Sequence, residues 1–348
     1  MVKLVDVAKA AGVSRGTASN VFAHPERVGE ELRARVEEAA RTLGYSGPDP
    51  KARLLRAGKA NAIGVVPFGP FSVADAITIP LFRQVLAGVG EVCDEVGASL
   101  SIFSGAHHQA GGGIRNALVD GFILTRTEDL DEVLTPRLRD LPFVVMDVEP
   151  RPGLNVVQVD VRPACRAAAR HLLQLGHRRF AIVSFLRADA PAVYHPPAKG
   201  RRPDEIAGMR IDQEKLAGYA EAFNEAGINI DDVPVLQAYP PDPAAAAQMM
   251  DLAPDATAFL SMSDLQALGI VNEARRRGMS VPGDLSVIGF NDIPEAILSQ
   301  PRLTTVNSMA VERGRAAARI VFEGGVSRHV VINAKLVVRG TTATAPLR

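Results

Sequence analysis

Beyond residue 60, short apolar runs alternate with amphipathic stretches, and this alternation restricts the chain to few architectures. The runs AIGVVP at 62–67 and LSVIGF at 285–290 have the length of buried strands, whereas 81–96 and 265–277 carry apolar residues at helical spacing. Strands that alternate with helices predict an α/β fold with parallel sheets. This part of the chain is longer than one ordinary hydrophobic core, so we expect two lobes with a cleft between them.

Residues 1–46 carry a different pattern, that of a small all-α domain. Apolar residues recur at helical spacing up to Gly12, which predicts a first helix followed by a turn. Ser14 is a good N-cap for a second helix at 15–22, and a third helix is predicted at 30–43. Two short helices joined by a glycine-containing turn indicate a helix-turn-helix, although any small three-helix bundle shows the same spacing.

The distribution of charge points weakly in the same direction. Residues 1–60 contain eleven Lys and Arg against seven Asp and Glu, although the whole chain balances 39 of each. A basic head on an acidic body is typical of nucleic-acid binding, but an uneven solvated surface has the same composition.

A helix-turn-helix offers the first residues of its second helix to base edges in the major groove of double-stranded DNA. Arginine can pair with guanine and asparagine with adenine, while hydroxyls and the amides at the helix start bind phosphates. The residues of this domain that we predict to contact DNA are Ser14, Arg15, Gly16, Thr17, Ser19, Asn20 and Arg27.

Several long motifs follow one another in a recognisable order. The N-terminal motifs are DVAKAAGVSRGTASNVF at 6–22, the stretch 33–45 and ARLLRAG at 52–58. The later ones are VDGFI at 119–123, HLLQLGHRR at 171–179, SDLQALG at 263–269, VPGDLSVIGFND at 281–292, LTTV at 303–306 and LVVRGTT at 336–342. Together they resemble the lactose/galactose-repressor (LacI/GalR) family of transcription regulators over nearly the whole chain.

Residues 47–60 are expected to form a hinge. Prolines at 48 and 50 cannot continue a helix, so they end the head. The resemblance implies a short hinge helix that inserts Leu55 into the minor groove, with Ala52 one turn earlier and Leu54 as the alternative wedge. On the sequence alone, a plain Pro/Gly linker is the simpler interpretation.

The resemblance implies that residues 61–348 form an effector-binding and dimerisation domain like a type I periplasmic binding protein. Three segments would cross between its lobes, near Asp160, 291–293 and 323–327. The expected N-lobe spans about 61–160 and 293–323, and the expected C-lobe spans about 161–291 and 327–342.

A ligand in such a cleft contacts the carboxyl ends of strands and the loops that follow them. Lys215 stands where the family usually has an arginine that grips the ligand, and Arg210 is a nearby substitute. From the resemblance, and from the loop after the first strand, the expected effector-binding residues are Phe71, Asp75, Phe82, Asp160, Arg210, Lys215, Ser263, Asn291 and Ser308.

Residues 187–209 are rich in proline, alanine and charge, which predicts a long loop near the mouth of the cleft. Loops of this length tend to be lids, binding loops or mobile surface segments. A ligand lid and a mobile surface loop are both consistent with the sequence.

Other classes of protein find little support. The two cysteines, Cys93 and Cys165, have no metal-ligand spacing, and no Walker or GxGxxG motif is present, so we expect no metal, no cofactor and no enzymatic activity. An α/β enzyme would need such a motif. A solute-binding protein of a transporter would need a signal peptide, and the N-terminus lacks its apolar segment. Charges interrupt every apolar run, so we also expect no transmembrane helix and a cytoplasmic location.

The expectation is therefore a DNA-binding transcription regulator, most simply a repressor, controlled by a small-molecule effector. The family resemblance implies a sugar or a related metabolite as that effector. A homodimer would place two heads on a near-palindromic operator, because twofold symmetry in the protein matches symmetry in the DNA.

Overall fold

The computed structural model of the chain separates into two compact units, Met1–Asn61 and Ala62–Arg348. The first is all-α, and the second is an α/β structure with two sheets. The structure describes residues 2–47, 59–67, 71–105, 114, 116–125, 141–186, 190–240, 242–325 and 327–347. The predicted hinge contacts Ala52 and Leu55 lie outside the described residues.

The first unit packs its helices around a small apolar core. Its elements are α1 Leu4–Ala10, α2 Arg15–Ala23, a 3-10 turn at Pro25–Arg27 and α3 Glu30–Leu43. Gly12 turns the chain between α1 and α2 with a φ of 63°, a conformation that glycine adopts without strain. Arg35 of α3 donates to the carbonyl of Ala11 at 2.6 Å and so fixes α3 against this turn. The buried core residues are Val7, Ala8, Ala11, Ala18, Val21, Val36 and Ala40.

The second unit alternates strands and helices, as its sequence predicts. In chain order its strands are β1 Ala62–Val66, β2 Ser99–Ile102, β3 Gly121–Leu124, β4 Phe143–Met146, β5 Asn155–Asp160, β6 Phe180–Phe185, β7 Val193–His195, β8 Val235–Ala238, β9 Ala258–Ser261, β10 Ser286–Asn291, β11 Thr304–Asn307, β12 His329–Asn333 and β13 Lys335–Val337. Its helices are α4 Val73–Ala76, α5 Pro80–Val96, α6 Arg162–Gln174, α7 Pro203–Ile206, α8 Arg210–Glu225, α9 Pro243–Leu252, α10 Asp264–Arg276, α11 Pro294–Leu298 and α12 Ala310–Glu323.

Two sheets divide this unit into two lobes. Sheet one has the strand order β12-β5-β4-β3-β1-β2 with parallel neighbours, and α5 and α12 pack on it. Sheet two has the order β13-β11-β10-β9-β6-β8-β7 and is parallel except at its two edge strands. One face of sheet two carries α6 and α8, and the other carries α9 and α10. Parallel sheets require such covering helices because their strands are apolar on both faces.

Three segments connect the two lobes, and two of them differ from the predicted positions. The first lies directly after Asp160, between β5 and α6, the second lies between β11 and α12, and the third is Ala334 between β12 and β13. The predicted crossings at 291–293 and 323–327 are wrong. Strand β11 lies in the range predicted for the N-lobe, but it pairs with β10 in sheet two. Strand β12 lies in the range predicted for the C-lobe, but it pairs with β5 in sheet one.

The segment 187–209 was expected to be a long loop, and its described part contains regular structure. Strand β7 pairs antiparallel with β8 at the edge of sheet two, and α7 follows as a single turn. Between them, Arg201 donates to the carbonyls of Ile230 at 2.6 Å and Val233 at 2.8 Å. These bonds fix the segment to the body of its lobe, so the prediction of an irregular loop is wrong there.

Candidate functional site

In the first unit, the predicted reading helix α2 begins with a well-formed cap. The Ser14 hydroxyl oxygen accepts a hydrogen bond from the Thr17 amide at 3.0 Å, and the two side-chain hydroxyls are 2.9 Å apart. Side-chain caps of this kind satisfy a helix-start amide that would otherwise lack a partner. The cap fixes where α2 starts and therefore which residues its first turn exposes.

The first two turns of α2 expose the residue types that read bases. Arg15, Gly16 and Asn20 are exposed and Ser19 is half-buried, while Ala18 and Val21 face the core. Arg15 and Asn20 make no side-chain hydrogen bond or ion pair with any other residue that the structure describes. Among the described residues, a Cβ added to Gly16 would meet only the Ser14 hydroxyl oxygen, at 3.6 Å, so packing against them does not require glycine there.

Arg27 is also exposed, at the end of the 3-10 turn that follows α2. Its Nε lies 3.7 Å from a carboxylate oxygen of Glu26, and both side chains are about two-thirds exposed, at 68% and 66%. A pair this exposed contributes little stability, so it would yield readily to a stronger anion such as a phosphate.

In the second unit, three of the predicted effector residues follow adjacent strands of sheet two. Ser263 follows β9 and caps α10 by accepting from the Leu265 amide at 3.2 Å, Asn291 ends β10, and Ser308 follows β11. Since β9, β10 and β11 are parallel neighbours, their carboxyl ends meet at one edge of the sheet. The Ser308 hydroxyl is buried and has no hydrogen-bond partner within the described part of the chain.

Lys215 belongs to a buried ion pair that the sequence analysis missed. Its Nζ donates to Asp212 Oδ1 at 2.9 Å and to the Met262 carbonyl at 3.2 Å, and it lies 4.0 Å from the centre of the Phe290 ring. The other carboxylate oxygen of Asp212 is buried without a hydrogen-bond partner among the described residues. The pair therefore offers an acceptor oxygen beside a cation whose charge is already balanced. The spacing of three residues on a helix could have indicated it.

Phe71, Asp75 and Phe82, the candidates from the first lobe, divide between the surface and the core. Asp75 is exposed on α4 and accepts a hydrogen bond from the Ser72 hydroxyl at 2.6 Å, and Phe71 is half-buried. Phe82 is fully buried among the apolar residues that α5 packs against sheet one, including Val85. The structure therefore does not bring Phe82 to the cleft, because its ring fills the core of its lobe.

Asp160 and Arg210 lie where the two lobes meet. The Asp160 carbonyl accepts from the Ala334 amide at 3.0 Å, which ties the first crossing segment to the third. Arg210, at the start of α8 in the second lobe, places its Nε 3.1 Å from Glu149 of the first lobe. Arg210 thus bridges the lobes, a role that differs from the predicted grip on a ligand.

Tyr239 directly follows β8 and lies within the electrostatic influence of Asp75 in the opposite lobe, a position that sequence reasoning missed. Burial first, and then the negative charge of Asp75 in the opposite lobe, raise the pKa of the Tyr239 hydroxyl. The ring packs edge-on against Phe185, with centroids 6.0 Å apart. Nothing in the local sequence distinguishes Tyr239 from a core tyrosine, because its position depends on the order of the strands.

Two further contacts join the lobes beside Asn291. Arg83 Nη2 lies 3.2 Å from a carboxylate oxygen of Glu295, and Gln84 Nε2 donates to the carbonyl of Asp292 at 2.8 Å. Both donors lie on α5 of the first lobe, and both acceptors lie in or just after the turn that follows β10. The lobe arrangement of this structure is therefore held by polar contacts that a relative rotation would break.

Among the described residues, no group of three His, Cys, Asp or Glu is placed to hold a metal ion. No helix within the described part of the chain has the length and apolar character needed to span a membrane.

Comparison with known proteins matches both units. The profile described as "Bacterial regulatory proteins, lacI family" matches residues 3–47, and "Periplasmic binding protein-like domain" matches residues 169–342. An HTH-type transcriptional regulator of Mycobacterium tuberculosis is 33% identical over 364 residues, which cover 99% of this chain and 97% of that protein.

Two solved structures share the fold. A complex of the transcriptional regulator CelR with cellobiose is 26% identical, with a TM-score of 0.66 over 98% of this chain and 100% of that one. The lac repressor dimer bound to operator and the anti-inducer ONPF is 23% identical, with a TM-score of 0.75 over 98% of this chain and 99% of that one.

Proposed function

The chain belongs to the LacI family of bacterial regulatory proteins, and we propose that it is a repressor whose hold on an operator is set by a small molecule in the cleft. One observation carries the DNA-binding half of this proposal. Arg15 and Asn20 are exposed, without partners among the described residues, on a helix whose start is fixed by the Ser14 cap. A rigid helix with guanine- and adenine-reading side chains has the chemistry for the major groove.

The proposed operator is a near-palindrome bound by a homodimer. Arg15 and Asn20 would contact bases, while Thr17, Ser19 and Arg27 would contact phosphates or neighbouring base edges. Packing among the described residues does not require a glycine at position 16, and this supports a close approach of DNA to that turn. The lac repressor dimer on its operator provides the geometric precedent. Ala52 and Leu55 join the proposed interface on the family resemblance alone.

The proposed effector is a neutral, hydroxyl-rich metabolite such as a sugar. The buried Asp212 oxygen and the Ser308 hydroxyl lack hydrogen-bond partners within the described part of the chain, and a ligand hydroxyl could bond to either. Because Asp212 balances the charge of Lys215, this part of the site does not call for an anion. The cellobiose complex of CelR supports the choice of a sugar. The residues proposed to bind the effector are Phe71, Asp75, Asp160, Lys215, Ser263, Asn291 and Ser308, to which we add Asp212 and Tyr239.

The compared relative and structures are named as transcriptional regulators or repressors. We infer that this chain likewise regulates transcription and does not catalyse a reaction. Its proposed place of action is the bacterial cytoplasm, where the DNA is.

The test is a gel-shift titration with the promoter DNA of the protein's own gene against a random duplex of equal length at moderate salt. Wild type should prefer the promoter, and Arg15→Ala should reduce that preference about tenfold or more, as expected for the loss of one bidentate base contact. Arg41→Ala is the matched control, since Arg41 is an exposed arginine of the same unit that pairs with Glu38 at 2.7 Å. No preference of the wild type for the promoter would refute the DNA-binding half.

The same assay, repeated with cellobiose and a panel of other sugars, tests the effector half. A sugar that binds the cleft should change promoter retention in wild type, and Ser308→Val should require a higher concentration of it. The effector must bind the two lobe arrangements unequally, since equal binding shifts nothing. If every sugar that acts on wild type acts equally on Ser308→Val, the cleft assignment is wrong.

A further inference from the structure

The turn after β10 has a backbone that needs external support. Asn291 and Asp292 adopt φ values of 110° and 58°, a region that side-chain-bearing residues rarely enter. Such conformations persist where the surrounding structure over-determines them. The turn carries a proposed effector residue, Asn291, and leads into α11, so what holds it bears on the function of the cleft.

Asp264, the first residue of α10, contacts this turn through a fully buried carboxylate. One oxygen accepts from the Ile293 amide at 2.8 Å, and the other accepts from the Thr305 hydroxyl on β11 at 2.5 Å. Room for the carboxylate comes from Gly289, where an added Cβ would lie 2.2 Å from the Asp264 oxygen. Three separate elements, α10, the turn and β11, therefore meet at one side chain.

Asp292 continues the connection towards the other lobe. Its carboxylate accepts from the Asn307 amide group at 3.0 Å and pairs with Arg339 at 2.7 Å, both within the second lobe. Its carbonyl accepts from Gln84 of the first lobe at 2.8 Å. The carbonyl points to that donor only while the turn keeps its left-handed conformation, because rotation of the 291–293 backbone would redirect it.

We propose that Asp264 is a positioning residue. Its carboxylate holds the turn at 291–293 against β11. The turn, held in this conformation, places the Asp292 carbonyl where Gln84 of the first lobe can donate to it. Asp264 is fully buried, and its side-chain hydrogen bonds among the described residues stay within the second lobe, so its influence on the first lobe passes through the turn. The coupling of Asp264 to Gln84 does not depend on the proposed function. The further consequence, that the same turn positions Asn291 to contact an effector in the cleft, does rest on it.

The first measurement is hydrogen exchange of the full-length protein, followed in peptides that cover residues 291–296. Asp264→Ala should raise exchange there at least tenfold and leave peptides of β6 unchanged. Asp264→Asn should stay within about threefold of wild type, since its oxygen can still accept from Ile293 while its amide donates to Thr305. The control is Asp284→Ala, which removes a carboxylate bonded to Ser280 at the opposite end of β10.

The second measurement is a double-mutant cycle on urea unfolding, with Asp264→Ala and Gln84→Ala singly and together. If Gln84 binds the turn that Asp264 holds, Gln84→Ala should destabilise the Asp264→Ala variant less than it destabilises wild type. The change in the unfolding constant of the double variant should then differ at least threefold from the product of the two single changes. The cycle of Gln84→Ala with Asp284→Ala should be multiplicative.

Any of three results would overturn the proposal. Asp264→Ala could raise exchange equally throughout the second lobe, or Asp264→Asn could raise exchange at 291–296 as much as Asp264→Ala does. The third such result is a cycle of Asp264→Ala with Gln84→Ala that is multiplicative. Should Asp264→Ala fail to fold, Thr305→Val removes one hydrogen bond of the network and should still raise exchange selectively at 291–296. Neither measurement uses DNA or a sugar. A negative gel shift would therefore refute the proposed function and leave this coupling standing, and the reverse also holds.

Discussion

Helices α5 and α12 approach so closely that each requires a glycine at the contact. A Cβ on Gly88 of α5 would lie 1.8 Å from the carbonyl oxygen of Val311 and 2.9 Å from the amide of Arg315. A Cβ on Gly314 of α12 would lie 2.2 Å from the carbonyl oxygen of Val85. These neighbours are backbone atoms inside helices, so no rotamer change can relieve the overlap. We therefore predict that Gly88→Ala destabilises the protein.

The magnitude follows from two opposing contributions. Replacement of a helical glycine by alanine favours the helix by about 1 kcal/mol. Forcing an extra carbon into a packed contact costs about 1–3 kcal/mol and sometimes more, and here a whole helix must move. We expect a net loss of about 2 kcal/mol. Gly90, two residues further along α5, has open space around its Cβ position, so Gly90→Ala should stabilise by up to about 1 kcal/mol.

The assay is urea unfolding followed by far-ultraviolet circular dichroism, because the chain has no tryptophan to report by fluorescence. The two alanine variants differ only in which position of the same helix receives the methyl group. Their free energies of unfolding should differ by about 3 kcal/mol, with Gly88→Ala the less stable. If Gly88→Ala unfolds at the same urea concentration as Gly90→Ala or above it, the backbone contact described here does not exist.

Three further predictions concern Asp264, the Lys215–Asp212 pair and Gly16. Burial above all raises the pKa of the Asp264 carboxyl from 3.8 to about 6, so the folded state binds this proton more tightly than the unfolded chain does. The contribution of Asp264 to the free energy of unfolding should be most favourable below about pH 4, and about 3 kcal/mol of it should be lost as the pH rises through 6. Urea midpoints measured across that pH range should fall accordingly in wild type but not in Asp264→Asn. Lys215→Met strands the buried Asp212 carboxylate and should cost about 3–5 kcal/mol, whereas Lys215→Met with Asp212→Leu should recover most of it in thermal unfolding. Gly16→Ala should leave the thermal stability of the protein equal or higher while weakening promoter retention in the gel shift, and retention equal to wild type would remove Gly16 from the DNA interface.

Burial of nearly all residues made some strands readable from the sequence. β1 and β10 are buried along almost their whole length, so each appears in the sequence as a largely apolar run. β12, HVVIN, alternates exposed and half-buried residues at a sheet edge, and β5 carries Gln158 and Asp160. Which sheet such a strand joins depends on pairing with residues far away in the chain. This is why the lobe boundaries after Asn291 could not be placed from local patterns.

The candidate site shows the same division. From the family resemblance we predicted Ser263, Asn291 and Ser308 at the carboxyl ends of strands or in the loops after them, and the structure places all three at one edge of sheet two. Phe82 could have been assigned to the core, because it lies on the apolar stripe of its helix. Tyr239 could not have been found, because its proximity to Asp75 depends on how two lobes close over one another.

The glycine contact between α5 and α12 also determines how a change in the cleft can spread. α12 begins directly after the crossing segment that contains Ser308, and α5 carries Gln84, which holds the turn beyond β10. Helices in backbone contact at Gly88 and Gly314 cannot slide independently, so they must move as one body. A ligand that displaces either Ser308 or the turn would therefore shift the same two-helix unit. Two separate places in the cleft would then produce one response of the first lobe, and this is the two-state behaviour that an effector-controlled repressor requires.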